Sequence, residues 1–484
     1  MLLCAIALPL TGAAVLFALR PQSARLRDGW IMAVTLLTSA LAGWCLLTPG
    51  DHGITLLRIT DLLTVSFRLD GLGRVFGGLV ALLWPVATLY GLEYMRREEK
   101  QNAFFGFYLL SYSATLGLAF SEDMMTLYVF FELLTLSTLP LVTYGGRARN
   151  AYAGRKYLYY LMGGAALGFL TLVTVVYYSG NSNFVYGGIS ALADAPRSVL
   201  LPMFVLGFFG FGAKAAIFPL HGWLPTASLA PTPVTALLHA VAVVKAGAFT
   251  VMRLAYYCCG PDMLRGTWAQ TVCLAFAAGT IVLGSVMALR EANLKRRLAY
   301  STMSNLSYVL FGAMLLTPAG LRGGLMHMVF HALMKITLFC CAGAVLVQTG
   351  GGAVTDLRGL HKRMPFVCAV FLFSAVELTG IPPFIGFQSK WALAVAGLQA
   401  GGPLAVAGVG ALILSAILTV LYLLVPAVGA YALPAPAENV ALGNADPGLY
   451  MKLALGALCA VMLALAFGSG PLTEYLSAVA GGAV

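Results

Sequence analysis

Apolar stretches of about 20 residues recur along almost the whole chain, and no other feature constrains its fold as strongly. Wound as a helix, a run of that length matches the roughly 30 Å hydrocarbon core of a bilayer. Within hydrocarbon every backbone N–H and C=O must be paired inside the chain, which restricts such runs to helices. About fourteen are legible, near residues 2–19, 29–48, 71–92, 102–120, 122–143, 152–179, 198–220, 231–257, 268–289, 297–318, 322–348, 364–400, 404–431 and 449–468, and no soluble domain fits between them. Only 10% of the residues are charged, against about a quarter in soluble domains. The predicted fold class is an all-α polytopic membrane protein. The first stretch has no basic residues before it and no cleavage site leading into a mature domain, so it reads as a retained span and not as a signal peptide.

Basic residues orient the bundle, because Lys and Arg collect in short cytoplasmic loops. Arg20, Arg25 and Arg27 follow span one; Arg96, Arg97 and Lys100 follow span three; Arg147, Arg149, Arg155 and Lys156 follow span five. Arg290, Lys295, Arg296 and Arg297 follow span nine, and Arg358, Lys362 and Arg363 follow span eleven. Both termini are therefore expected on the non-cytoplasmic side. This signal accounts for most of the net charge of +11 and needs no nucleic acid as partner. After span two, Ile54 to Phe67, preceded by Asp51-His52-Gly53, alternates apolar and polar residues as an external hairpin would. The nine cysteines include no CxxC pair, and Cys258-Cys259 and Cys340-Cys341 are adjacent, a poor geometry for chelating one metal. No metal site is expected.

Two spans are interrupted in corresponding ways. Span seven passes through Gly212-Ala213-Lys214 into Phe218-Pro219-Leu220-His221-Gly222-Trp223-Leu224-Pro225, and span twelve through Gly380-Ile381-Pro382-Pro383-Phe384 to Lys390. Proline frees helix carbonyls, which membranes tolerate where the backbone is buried in protein or lines a wet cavity. Breaks five spans apart suggest two five-helix repeats, spans 4–8 and 9–13, with an odd span number inverting the second copy. The chain then divides into residues 1–100 (three spans and the hairpin), 101–260 (first repeat), 261–432 (second repeat) and 433–484 (a last span).

A charge in hydrocarbon costs at least about 2.5 kcal/mol on insertion scales, so each needs a partner or a purpose. Lys214 precedes the span-seven break, Lys245 lies inside span eight, Lys335 inside span eleven, and Lys390 follows the span-twelve break. Glu132, central in span five, is the expected counter-ion of Lys214, and Glu377 precedes the break of span twelve. Lysine suits proton transfer because desolvation and a movable carboxylate change its proton affinity by several units, which no arginine permits. His327, His331 and Lys335 are spaced i, i+4, i+8 and share a helix face suited to carrying protons between the repeats. His239 and Lys245, six apart, are expected on different faces, and His221 lies within the span-seven break. A phosphate loop, a dinucleotide fingerprint and haem or cluster ligand sets are all absent from the sequence, so the driving energy is expected to come from elsewhere.

These residues resemble a known family: the antiporter-like membrane subunits of respiratory complex I, membrane-bound hydrogenases and multisubunit Mrp cation/proton antiporters. The resemblance spans essentially the whole chain. It is carried by Phe130-Phe131-Glu132-Leu133, Phe218-Pro219-Leu220-His221-Gly222-Trp223-Leu224-Pro225, Ala230-Pro231-Thr232-Pro233 through His239, Lys245-Ala246-Gly247, Asn293 through Ser301, Ser304-Asn305-Leu306 and Gly380-Ile381-Pro382-Pro383. In size the chain looks like the medium-length members and is similar to the D-type Mrp component, without the long lateral helix of the longest members. The resemblance implies a prokaryotic inner-membrane subunit that moves H⁺, or exchanges Na⁺ for H⁺, beside other membrane subunits, including further antiporter-like ones. In many relatives partner chains supply a redox reaction of the NADH:quinone or hydrogenase type, and no cofactor is expected in this chain. By motif, the family's working glutamate falls on Glu132, its lysines on Lys214 and Lys245, its outlet residue on Lys390, and its span-eleven relay on His331 and Lys335. Thr226 and Ser228 stand where many relatives have Asp and His, and Glu377 where they have a small or apolar residue. Two other readings stay open: a self-sufficient antiporter, and a quinone-docking scaffold with inert charges.

Overall fold

Capping side chains mark where several of the long helices begin. Asp70, Asp123, Thr267 and Thr317 each accept a hydrogen bond from the backbone N–H three residues on, supplying a partner that the first turn of a helix lacks. In the computed structural model, which describes residues 1–483 apart from 49, 51, 52, 61, 62, 147, 437, 438 and 440–444, these caps open helices of the expected kind. The first three spans are α1 (Leu2–Leu19), α2 (Ala24–Leu47) and α3 (Gly71–Tyr94). Between α2 and α3 runs the expected hairpin, β1 (Ile54–Arg58) antiparallel to β2 (Thr64–Phe67). The Ser66 amide donates to Thr126 Oγ1 at 2.7 Å, seating β2 on the start of the fifth span. Asp51 and His52, in front of the hairpin, and Arg147, in a basic loop, lie outside the described residues.

There follow α4 (Gln101–Ala119), α5 (Met124–Val142), α6 (Ala148–Ser179), α7 (Arg197–Gly212), a short α8 (Trp223–Ala227), α9 (Thr232–Ala240), α10 (Val243–Arg253) and α11 (Pro261–Leu264). Then come α12 (Trp268–Arg290), α13 (Leu294–Met314), α14 (Pro318–Thr349), α15 (Pro365–Thr379), α16 (Ile385–Ala400), α17 (Pro403–Thr419) and α18 (Val425–Ala432). The chain closes with α19 (Leu449–Gly468) and α20 (Gly470–Ala480), the latter a short helix beyond the last expected span.

Among the described residues, ten helical segments are long and apolar enough to cross a membrane. Four expected spans fall outside that set. The two broken ones leave short helices, α7 and the pair α15 and α16. The other two are α4, which carries Gln, Asn, Ser and Thr, and α13, which buries Ser301, Thr302, Ser304, Asn305 and Ser307 against protein and so need not be apolar.

The centre of the bundle is α14. It is 32 residues long, is buried from Gly320 to Val345 apart from Arg322 and Val329, and packs against α3, α9, α13, α15, α16, α19 and α20. Span eight was expected as one continuous helix and is not. It stops at Ala240, restarts at Val243, and ends in a π-helical turn, Leu254–Cys258. The last span is tied to the first unit by Glu93 at the end of α3, whose carboxylate accepts from the amides of Tyr450 (2.8 Å) and Met451 (3.1 Å) at the start of α19.

Candidate functional site

Lysines take the carbonyls freed at the breaks in span eight and span twelve, and a third lysine, at the break in span seven, reaches into a neighbouring helix. Lys214 lies on the turn just beyond α7. Its ammonium donates to the carbonyl of Phe131 in α5 and sits 3.4 Å from the centroid of the Phe131 ring. Glu132 is the next residue of α5, and Lys214 is the charge that faces it. Both carboxylate oxygens of Glu132 are nevertheless buried without a hydrogen-bond partner, so the expected counter-ion contact is not closed. The lysine directs its hydrogens to the carbonyl and ring of Phe131 instead. Gly247 of α10 presses on the same turn: a Cβ there would stand 2.5 Å from the Ala215 amide nitrogen and 2.8 Å from Lys214 Cβ.

Lys245, fully buried, uses the interruption of span eight. Its ammonium donates to the carbonyl of His239 at 3.1 Å, a group that the break at Val241 and Ala242 leaves free of the helix ladder. The contact is with the His239 backbone; the His239 ring itself turns to Phe339. Lys245 Nζ also lies 2.9 Å from Nδ1 of His331 on α14. With Lys245 as the ammonium, which has only hydrogens to offer, Nδ1 accepts and the neutral imidazole carries its proton on Nε2, which has no partner.

From His331 the line continues along α14. The His327 and His331 rings stack with centroids 5.7 Å apart, and His327 also stacks on Tyr308 at 4.9 Å. His327 Nδ1 meets Ser389 Oγ at 3.0 Å, and its Nε2 donates to Asn305 Oδ1, 3.2 Å away. Ser389 precedes Lys390, whose ammonium lies 5.8 Å from the centroid of the same Tyr308 ring. Lys245, His331, His327 and Lys390 thus form one line linked by polar and ring contacts. Lys335 shares the α14 face of His327 and His331 but turns its ammonium to the carbonyl of Leu298 on α13, at 3.1 Å.

The accessory candidates divide. His239 is buried against the Phe339 ring, 4.6 Å between centroids, with both ring nitrogens unpartnered. His221 is half-buried in the span-seven break beside Phe218. Glu377 is fully buried on α15, apart from the line.

Three features escaped the sequence reading. Lys295, assigned to a basic loop, is 8% exposed and donates to the carbonyl of Ala230 at 2.6 Å. The signal was present, since Leu294, Lys295, Leu298 and Ala299 continue the buried stripe of α13 back to its first turn. Ser389 and Asn305 bracket His327, yet neither residue type stands out in a sequence. Arg253, 1% exposed, pairs with both oxygens of Asp70, with Nη2 2.7 Å from Oδ1, inside a ring of Phe184, Phe249 and Tyr257.

A model of the membrane-spanning family described as NADH:quinone oxidoreductase/Mrp antiporter matches residues 121–417, a stretch containing every candidate above. The chain belongs to this family. NADH-quinone oxidoreductase subunit N of Desulforudis audaxviator is 35% identical over 352 residues, covering 72% of this chain and 68% of the relative. Hydrogenase-4 component B of Escherichia coli is 33% identical over 345 residues, covering 68% of this chain but only 50% of the longer relative. In fold, a chain of the Mrp complex from Dietzia sp. superposes with a TM-score of 0.85 at 24% identity, covering 99% of this chain and 96% of that one. The chain is therefore a multi-pass membrane protein of the NADH:quinone oxidoreductase/Mrp antiporter family, with the fold of a subunit from a multisubunit membrane complex.

Proposed function

We propose that this NADH:quinone oxidoreductase/Mrp-type chain carries protons, or exchanges Na⁺ for H⁺, as one membrane subunit of a larger prokaryotic inner-membrane complex that includes further antiporter-like subunits. One observation carries the reading: the fully buried Lys245 donates to His331 Nδ1 at 2.9 Å, at the head of a line of titratable side chains that reaches Lys390. A scaffold gains nothing from desolvating a lysine against a histidine, because each such charge must be stabilised against the membrane interior. Proton transfer needs that pair, since moving one proton from Nζ to Nδ1 leaves a neutral amine beside an imidazolium and conserves charge.

Glu132 and Lys214 are the loading pair in this reading, and Lys245, His331, His327 and Lys390 pass the proton on through bridging waters. His239, with two unpartnered nitrogens near Lys245, Lys335 and Lys295, is a side branch. Fourteen spans in two inverted five-helix repeats, with both termini outside the cytoplasm, are consistent with the breaks at Lys214 and Lys390 falling five spans apart. Partner chains would supply the driving reaction.

Proton uptake into inverted vesicles that carry the chain with its native partners tests this reading. Lys214→Ala and Glu132→Ala should each abolish uptake while the complex still assembles, whereas full uptake in both would return the chain to a scaffold. Cation-for-proton exchange by the purified chain alone in liposomes would refute the subunit assignment.

A further inference from the structure

The break between α15 and α16 is closed from both sides by titratable side chains. An α-helix leaves its last four carbonyls without intrahelical donors, and in α15 these belong to Val376, Glu377, Leu378 and Thr379. The Gly380 amide, in the left-handed conformation with φ of 90°, serves the first two at 3.2 and 3.1 Å. Lys390, reaching back from α16, serves the other two, with Nζ 2.6 Å from the Leu378 oxygen and 3.0 Å from that of Thr379. Its stem lies against Gly380, where a Cβ would come within 3.0 Å of Lys390 Cδ.

The opposite end is built in mirror fashion. In the first turn of α16 the amides of Phe387 and Gln388 donate to the carbonyl of Phe384, at 3.1 and 3.2 Å. The remaining two, of Ile385 and Gly386, face the carboxylate of Glu377. That carboxylate is fully buried and has no formed hydrogen bond. A Cβ on Gly386 would stand 1.7 Å from the Glu377 carbonyl oxygen, so the two helix ends are pressed together. A cation at a helix C-terminus and an anion at a helix N-terminus are each favoured by the backbone dipole. Here the cation comes from the second helix and the anion from the first.

Resting on the translocation reading above, we infer that Glu377 is a positioning residue for Lys390: its carboxylate holds the start of α16 against α15, and thereby holds the Lys390 ammonium on the α15 carbonyls at the end of the line. Glu377 touches neither Lys390 nor the rest of the line, and it acts through the first turn of α16. Losing its charge lets that turn swing, and Lys390 then leaves the Leu378 and Thr379 oxygens.

Proton uptake per assembled complex tests this in vesicles carrying the chain with its native partners, for E377Q, E377D and K214A. The glutamine keeps the shape and a hydrogen-bond acceptor but removes the charge, so uptake should fall about tenfold, the scale of a partly buried charge at a helix end. Aspartate keeps the charge and should restore roughly half or more. Amide exchange over the first turn of α16 should accelerate in E377Q and not in K214A. Unchanged uptake in E377Q, or equal loss in E377Q and E377D, would overturn the inference while a dead K214A left the translocation reading standing. Full uptake in K214A would instead remove that reading and this one with it.

Discussion

Lys245 and His331 sit on different helices, α10 and α14, and still place Nζ and Nδ1 2.9 Å apart with neither group reachable by bulk water. One proton serves both nitrogens, and its position along that contact decides which of the two side chains carries the charge.

The first prediction follows from that sharing. Lys245→Ala and His331→Ala should each lower proton uptake at least about tenfold, and Lys245→Arg should fail as well, because a guanidinium does not release its proton. Groups acting as one unit are strongly non-additive, so the double variant should be no slower than the worse single one. A product of the two single losses, read from dye-monitored uptake in vesicles, would mean that the two residues work independently.

Much of this architecture was legible in the sequence, and the gaps have physical causes. Lys214, Lys245, Lys335 and Lys390 announced themselves because an isolated charge in an apolar run is costly. The breaks at Lys214 and Lys390 were visible through their Gly and Pro. The interruption at Val241 and Ala242 was not, because no proline or glycine marks it and its freed carbonyl is taken by a side chain six residues from His239. Lys295 was hidden by its neighbours Arg296 and Arg297, since a charge beside a loop reads as orientation until packing buries it. The Glu132 and Lys214 contact was expected to close, but the Phe131 carbonyl, one residue away, competed for the ammonium.

Lys295 and Arg296 give a contrast between adjacent basic residues. Lys295→Ala removes a charge-assisted hydrogen bond at 2.6 Å from the buried Ala230 carbonyl, leaving it only the Thr235 hydroxyl at 3.1 Å, and should cost about 1.5–3 kcal/mol. Arg296 is half-exposed and pairs with Glu291 at 3.1 Å, a surface ion pair worth at most about 1 kcal/mol. Thermal unfolding of the two variants in detergent should therefore separate them clearly, and equal midpoints would show that Lys295 is solvated.

Gly247 tests the link between the Lys214 turn and the rest of the line. A methyl group at 2.5 Å from the Ala215 nitrogen cannot be accommodated without moving the backbone. Overpacking of this kind costs about 1–3 kcal/mol. Gly247→Ala should assemble yet translocate protons several-fold more slowly. Gly279→Ala, where nothing lies within 4 Å, should leave uptake unchanged. Comparing initial uptake rates per assembled complex decides it, and equal rates would mean that the Lys214 turn tolerates displacement.

Asp70 and Arg253 carry the heaviest structural consequence. Asp70 does two jobs: Oδ1 accepts from the Gly73 amide at 2.8 Å to cap α3, and both oxygens receive the Arg253 guanidinium. Arg253 ends α10, eight residues after Lys245, so the pair pins the helix that carries Lys245 to the start of α3. Asp70→Ala would leave the guanidinium buried among Phe184, Phe249 and Tyr257 with no anion. Breaking such a pair from one side costs about 3–5 kcal/mol, and losing the cap adds about 1 kcal/mol. Replacing both partners with apolar residues often costs little, since no charge is then stranded. The expected order of thermal midpoints is therefore wild type, then Asp70→Leu with Arg253→Met, then Asp70→Ala lowest. If the double variant unfolds below the single one, the aromatic ring around Arg253 would itself be the stabilising element, and the carboxylate a dispensable neighbour.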